Sequence, residues 1–248
     1  MKISIITSVY NNKETIEDAI KSVLSQTYEN IEYVLVDGGS SDGTLDIIEK
    51  YKDQIDVLVS EPDKGIYDGL NKGLDLATGD VVAFLHSDDL YADEHTIEHV
   101  ASVFEKEDVD GVYGDLIYTP KEDTSKVLRY WKSKDFHPDL LKQGWMPAHP
   151  TFFLKKEIYD KYGKFDLGFK IAGDYDFMLR VLSAGIKVKY LPKVIYKMRV
   201  GGESNKSLKN IILKSKEDLR ALNKNDIGGV ATLLIKNFSK VGQFLKKS

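Results

Sequence analysis

The sequence predicts an α/β protein with a mostly parallel, Rossmann-like central sheet, helices on both faces, and a helical C-terminal extension. Two observations carry this. The first hundred residues alternate short apolar runs with stretches of helical periodicity, as strand–helix–strand–helix–strand–helix–strand. One run, Val81 to Leu85, is five consecutive apolar residues, the pattern of a strand buried on both faces. The length of 248 residues, with 42% hydrophobic and 30% charged, suits one large soluble domain, or one domain and a tail.

Element by element, Ile3 to Ser8 reads as a strand. A helix follows with Asn12 near its start and Ile16, Ala19, Ile20, Val23 and Leu24 on one face. Ile31 to Val36 is the second strand. Residues 42–52 form a short helix with Leu45, Ile48 and Tyr51 inward, and Ile55 to Val59 is the third strand. Ile66, Leu70, Leu74 and Ala77 stripe a third helix that stops at Gly79, before the 81–85 strand. A helix at 94–106 and a strand at 111–118 come next, and residues 119–149 are polar, aromatic and without period. Thr151 to Leu154 reads as a strand, Tyr175 to Ala184 as a helix ending at Gly185, and Val188 to Leu191 and Val194 to Met198 as two short strands. From about residue 205 the chain is helical and increasingly basic.

Several function classes are excluded or disfavoured. A net charge of -4 argues against attraction to nucleic acid. The absence of cysteine excludes disulfides and thiolate-bound zinc and suits a reducing compartment. The N-terminus turns polar too soon for a signal peptide, and no apolar run has the length of a membrane span.

Parallel sheets bind ligands at the carboxyl ends of their strands, which directs attention to residues 7–12, 37–44, 61–68 and 86–91. His86, Ser87, Asp88 and Asp89 follow directly on the buried strand. Two adjacent carboxylates repel unless something positive joins them, so the spot suits a divalent cation that shares its shell with substrate phosphates. Helix capping by either Asp is the plain alternative. The Asp37 to Thr44 loop, with Gly38, Gly39 and Gly43, lets a ligand approach the backbone, and Ser41 or Asp42 caps the next helix. Its spacing is neither a dinucleotide fingerprint nor a P-loop. In the third loop Lys64 is placed to meet a phosphate and Asp68 a base or ribose. Asn71 and Lys72 lie behind them.

Trp145 is a candidate stacking platform, and His149 a ligand contact, a metal ligand or a buried histidine. Tyr130, Trp131 and His137 lie in a stretch that could cover the site. Asp174 stands where a helix begins, and Asp176 is spaced to pair with Arg180 one turn on. In residues 230–248, Leu234, Phe238, Val241 and Leu245 share one helical face and Lys236, Lys240 and Lys247 another, as in helices that lie on anionic membranes.

Thr7-Ser8-Val9-Tyr10-Asn11, the Ser22 to Tyr28 segment, the Asp37 to Thr44 loop and the His86 to Asp89 cluster occur in an order and spacing that resemble the family 2 glycosyltransferases, whose fold is GT-A. The resemblance spans roughly residues 1–200. It implies a catalytic domain over 1–200, with a nucleotide-sugar half at 1–90 and an acceptor half at 91–200, and an extension at 201–248. It also implies transfer from a nucleotide-sugar with inversion, using Mn²⁺ or Mg²⁺. Position by position, Thr7, Tyr10, Asn11 and Asp37 resemble nucleotide-binding residues, Asp88 and Asp89 the metal and ribose or diphosphate residues, and Asp174 the catalytic base. Under the resemblance, Trp145 and His149 would contact the acceptor. Three positions depart from the family pattern: Gly38 stands where many relatives have a second Asp, His86 begins the Asp-x-Asp motif, and Gly173 replaces the usual Glu. The resemblance favours a UDP-sugar donor, with thymidine diphosphate open, a saccharide or lipid-linked saccharide acceptor, and a cytoplasmic place at the inner membrane face. The rivals are a metal-dependent nucleotidyltransferase, which would want a basic Gly-rich loop near the first strand, and a non-catalytic nucleotide-sugar- or carbohydrate-binding protein, which could dispense with Asp174.

Overall fold

The computed structural model describes residues 1–201 and 207–241. Strands β1 (Ile3–Val9), β2 (Ile31–Asp37), β3 (Val57–Ser60) and β4 (Val81–Phe84) alternate with helices α1 (Ile16–Leu24), α2 (Thr44–Ile48) and α3 (Ile66–Leu76), as the periodicity predicts. Then come β5 (Leu90–Tyr91), α4 (Thr96–Lys106), β6 (Gly111–Thr119), β7 (Arg129–Trp131), α5 (Asp139–Lys142), β8 (Phe153–Lys155), α6 (Lys156–Tyr162), α7 (Gly173–Ser183), β9 (Val188–Arg199), α8 (Leu208–Lys224) and α9 (Val230–Val241).

One sheet runs β3-β2-β1-β4-β8-β6-β9-β5, with β7 also on β6. The pairs β3–β2, β2–β1, β1–β4 and β6–β9 are parallel, and β8, β7 and β5 run against their neighbours. Alternation of side chains splits the core between the two faces. Ile6, Val34, Val36, Val82 and Phe84 pack under α3, α6, α7 and α8. Ile3, Ile5, Tyr33, Leu35, Val81 and Ala83 pack under α1 and α4.

The register decides where a site can form. Val9 lies opposite Asp37, and Asp37 opposite Ser60, so the first three strands end level. β8 enters antiparallel with Leu154 opposite Val82, which brings the turn before it, residues 149–151, to the same edge.

Several expectations change. The strand expected at 151–154 is a 3₁₀ turn followed by β8, and α6 follows without a loop. The two strands expected at 188–191 and 194–198 are one, β9, bulged opposite Gly114 where the register skips from Tyr190 to Val194. Pro192, having no N–H to give the ladder, falls in that bulge. The helix expected over 42–52 is α2 continued by a 3₁₀ segment at 49–54. β5 and β7 are too short to show a period.

The C-terminal helices are not a separate lobe. Ala221, Leu222 and Ile227 share one core with α7. Lys236, expected on a solvated basic face, is 3% exposed. It pairs with Asp218 at 2.8 Å and lies over the Tyr175 ring. The exposed apolar residues of α9 are Val230, Leu234 and Ile235. The side chains of Phe238, Lys240 and Val241, and all of Leu245 and Lys247, lie outside the described residues.

Candidate active site

Hydrogen bonds join the first two loops. The Asn11 side chain accepts from the Ser41 N–H and its own N–H donates to Ser40 Oγ, both at 2.8 Å. This holds Asn11 at φ 47°, a left-handed conformation that asparagine tolerates. Asp37 is fully buried and accepts from the Ser60 hydroxyl at 2.6 Å and the N–H groups of Gly39 and Ser40 at 3.1 Å. Its carboxylate therefore ties the ends of β2 and β3. Thr7 is also fully buried, and its hydroxyl accepts from Tyr33 at 3.3 Å, which places it beneath the loops. Tyr10, 62% exposed, reaches into solvent, and Asn11 beside it is exposed as well. The N-cap of α2 is Gly43 rather than Ser41 or Asp42; Asp42 instead closes the turn before it, accepting from the Thr44 N–H at 3.0 Å.

The third loop folds on itself. Asp68 accepts from the Lys64 N–H at 3.0 Å and approaches Lys72 to 3.8 Å, while Lys64 is exposed. Asp68 is thus engaged by its own loop. Asn71 brackets Phe165 with two hydrogen bonds, and Lys72 pairs with Glu61 at 2.8 Å and donates to the Pro62 carbonyl. A side chain at Gly38 would collide with the Asp63 carboxylate, which occupies the place of the acid many relatives carry there.

The 86–89 turn is held from three directions. Asn12 donates to Ser87 Oγ at 2.9 Å and Thr15 to the Ser87 carbonyl at 3.1 Å. The Tyr196 hydroxyl accepts from the His86 N–H at 3.0 Å. Arg199 donates through its guanidinium to the Asp88 carbonyl and through its backbone N–H to Asp89 Oδ1, both at 2.8 Å. Asp89 is 1% exposed, and burial, aided by the neighbouring Asp88 charge, raises its carboxyl well above the usual range. That inward, enclosed position is a poor one for a metal ligand and departs from the expectation for Asp89. Asp88 is half-buried, and its carboxylate makes no hydrogen bond or ion pair among the described residues. No group of three or more His, Asp or Glu side chains among the described residues converges to hold a metal by itself. A single half-buried carboxylate without a partner among the described residues would suit a Mg²⁺ or Mn²⁺ that drew its other ligands from a diphosphate and water.

Asp174 is the second residue of α7 and half-buried. The Tyr67 hydroxyl lies 3.2 Å from its Oδ1, donates to the Ile171 carbonyl at 2.7 Å and accepts from the Gly173 N–H at 2.9 Å. A Cβ at position 173 would sit 2.8 Å from the Tyr67 ring, so the usual Glu is sterically replaced by Tyr67. His86 feels both carboxylates: burial lowers its pKa, and the charges of Asp88 and Asp174 oppose that shift. His149 is 7% exposed, stacks on Phe84 at 5.9 Å, and is pushed down to about 4, chiefly by burial. It is a neutral imidazole near Asp174.

Trp145 does not offer a free ring. Phe136 stacks against it at 6.4 Å and Lys134 stands over it at 5.6 Å. Tyr130 and Tyr190 hold the buried Asp115. Asp176, expected to pair with Arg180 near the surface, is fully buried and also pairs with Lys224 at 3.0 Å. Sequence reasoning did not single out Tyr67, Arg199 or Glu217. Tyr67 falls at helical spacing just after the third loop, and that was the one available signal. Arg199 acts on residues 110 positions away in sequence, a distance no local pattern spans.

A sequence model described as "Glycosyl transferase family 2" matches residues 4–163. A PGL/p-HBAD biosynthesis glycosyltransferase of Mycobacterium tuberculosis (strain ATCC 25177 / H37Ra) is 31% identical over 85% of this chain and 82% of its own. The UDP-Glc:alpha-D-GlcNAc-diphosphoundecaprenol beta-1,3-glucosyltransferase WfaP of Escherichia coli is 32% identical over 86% of this chain and 84% of its own. Among solved structures, S. aureus TarS 1-349 in complex with UDP-GlcNAc superposes with a TM-score of 0.73 at 23% identity, covering 100% of this chain and 76% of that one. The fold is therefore GT-A, and with the family motifs on the strand ends where its sheet gathers them, the chain belongs to glycosyl transferase family 2.

Proposed function

We propose that the protein is an inverting glycosyltransferase that moves a hexosyl or N-acetylhexosaminyl group from a UDP-sugar to a saccharide carried on a lipid, with Asp174 as base. The observations that carry this reading are the placement of Asp88 in the turn that follows β4, its carboxylate without a hydrogen bond or ion pair among the described residues, and of Asp174 at the start of α7 beside the Tyr67 hydroxyl; the charges of both act on His86. In the step, the acceptor hydroxyl oxygen forms a bond to the anomeric carbon as the bond to the diphosphate oxygen breaks on the opposite face. The hydroxyl proton goes to Asp174. The nucleoside diphosphate leaves with the bonding electrons, so the anomeric configuration inverts. Asp88 would hold a divalent cation, which supplies charge stabilisation to the leaving diphosphate.

Tyr10, Asn11 and the Asp37 loop form the nucleoside side of the cleft. Asp37 and Asn11 act by shaping the loop, since their own oxygens are bonded within it. His149, neutral and close to Asp174, faces the acceptor side. WfaP, by its name, uses UDP-Glc and a diphosphoundecaprenol-linked sugar, which supports the same substrate class here. None of the described helices is long and apolar enough to cross a membrane. A lipid-borne acceptor would instead be met through the exposed Val230, Leu234 and Ile235 of α9, with the protein peripheral on the cytoplasmic face.

The test is incubation with Mn²⁺ and a panel of UDP-, TDP- and GDP-sugars, following thermal stabilisation and slow donor hydrolysis. A UDP-sugar that stabilises and is turned over is the expected result. Stabilisation without turnover or transfer would favour a binding protein, and no response to any donor would end the transferase reading.

A further inference from the structure

We infer that Glu217, on α8, is a positioning residue for Asp174, so that the helical extension is a working part of the transfer site. The inference rests on the reading of Asp174 as the base. Three consecutive N–H groups converge on this one carboxylate: Lys170 donates to Oε1 at 2.9 Å, and Ile171 and Ala172 donate to Oε2 at 2.8 and 2.9 Å. Glu217 is 6% exposed, so these bonds are made away from water. Ala172 directly precedes α7, and Asp174 is two residues on. The loop that delivers the base is wound around a residue more than forty positions downstream.

The opposite side of the loop is held by Tyr67, through the Ile171 carbonyl and the Gly173 N–H. Between them, Glu217 and Tyr67 take every backbone N–H from Lys170 to Gly173. That leaves the segment no freedom to slide, and it sets the direction in which Asp174 leaves the helix. Glu217 takes three of these donors, and among the described residues the Tyr67 hydroxyl is the side-chain group within hydrogen-bond distance of the Asp174 carboxylate.

Glu217→Gln keeps the size of the side chain but turns one acceptor into a donor facing donors. With Mn²⁺ and the UDP-sugar that the wild type hydrolyses, kcat should fall roughly 10- to 100-fold, as small misplacements of a catalytic group do. The Kd for UDP should stay within about twofold, because the nucleoside loops are untouched. Amide exchange at residues 170–172 should quicken. Glu217→Asp, which keeps the charge but draws the carboxylate back from the three N–H groups, should repeat the kcat loss in smaller measure with unchanged UDP binding, and it carries the test if Glu217→Gln does not fold. Lys214→Gln, which removes a 3.1 Å partner of the adjacent Asp218, should cost stability without lowering kcat. The inference is overturned if a folded Glu217→Gln keeps kcat within about twofold, if UDP binding weakens as much as kcat falls, or if Lys214→Gln loses kcat equally. Asp174→Asn separates the two readings. If that variant is inactive while Glu217→Gln is unimpaired, only the positioning role falls. If it transfers at the wild-type rate, the base assignment falls and the positioning role with it.

Discussion

Asp174, Asp88 and His149 each make a residue-scale claim that can be measured. Loss of a general base costs roughly 10²- to 10⁴-fold in rate. Asp174→Asn should therefore lower kcat by that order while donor binding persists. Asp88→Ala should abolish the Mn²⁺-dependent part of donor binding, read by calorimetry with and without metal; donor affinity that still responds to Mn²⁺ would refute the assignment. His149 gives a pH signature. Its folded pKa near 4 lies below the ordinary value of 6.5, so between these values the unfolded chain takes up a proton that the folded chain refuses. Stability contributed by the neutral imidazole is thus intact above pH ~6.5 and falls by up to about 3 kcal/mol as pH drops towards 4. Urea unfolding at pH 7 and pH 5 should show a larger drop for the wild type than for His149→Gln, and equal drops would contradict the burial argument. The roles given to Asp88 and Asp174 are proposals, but that the one follows a buried strand and the other begins a helix was legible in the sequence. Which of two adjacent carboxylates faces outward was not, because that depends on Arg199 and Tyr196, which approach from the far end of the chain.

At the scale of elements, the first ninety residues were legible because each unit is local: a strand, a tight turn and an amphipathic helix of ordinary length. What periodicity could not convey is how closely α3 lies on β1. A Cβ at Gly73 would collide with the Ile6 side chain, and one at Gly69 with the Ser8 side chain. Glycine at these two positions lets the helix backbone rest on the strand. Gly73→Ala should destabilise the protein by about 1–3 kcal/mol, the usual cost of overpacking, despite alanine's better helix propensity. Thermal denaturation would check this, and a stabilised variant would mean that α3 can move outward freely. Residues 91–200 were harder to read for a physical reason. β5, β7 and α5 are two to four residues long and exist only through their partners, and β9 hides its continuity behind the bulge at Pro192.

For the whole molecule, the expected boundary near residue 200 is a change in composition that packing does not respect. The basic residue expected outside at position 236 is drawn in by Asp218, which removes one cation from the membrane-facing account. Membrane contact then rests on Val230, Leu234 and Ile235. Cosedimentation with vesicles of phosphatidylglycerol should be lost in a Leu234→Ser, Ile235→Ser double variant whose donor hydrolysis is unchanged; equal binding by both proteins would show that this face does not touch lipid. The contacts of Arg199 have a bearing on time as well as space. The turn bearing Asp88 and Asp89 leaves the ribosome well before the arginine that braces it, which follows 110 positions later. At ordinary rates of synthesis that interval is roughly 5–20 s. During it a nascent chain has its first strand-end loops but not the brace on the turn after β4, so a half-made enzyme is poorly equipped to squander activated sugar on water.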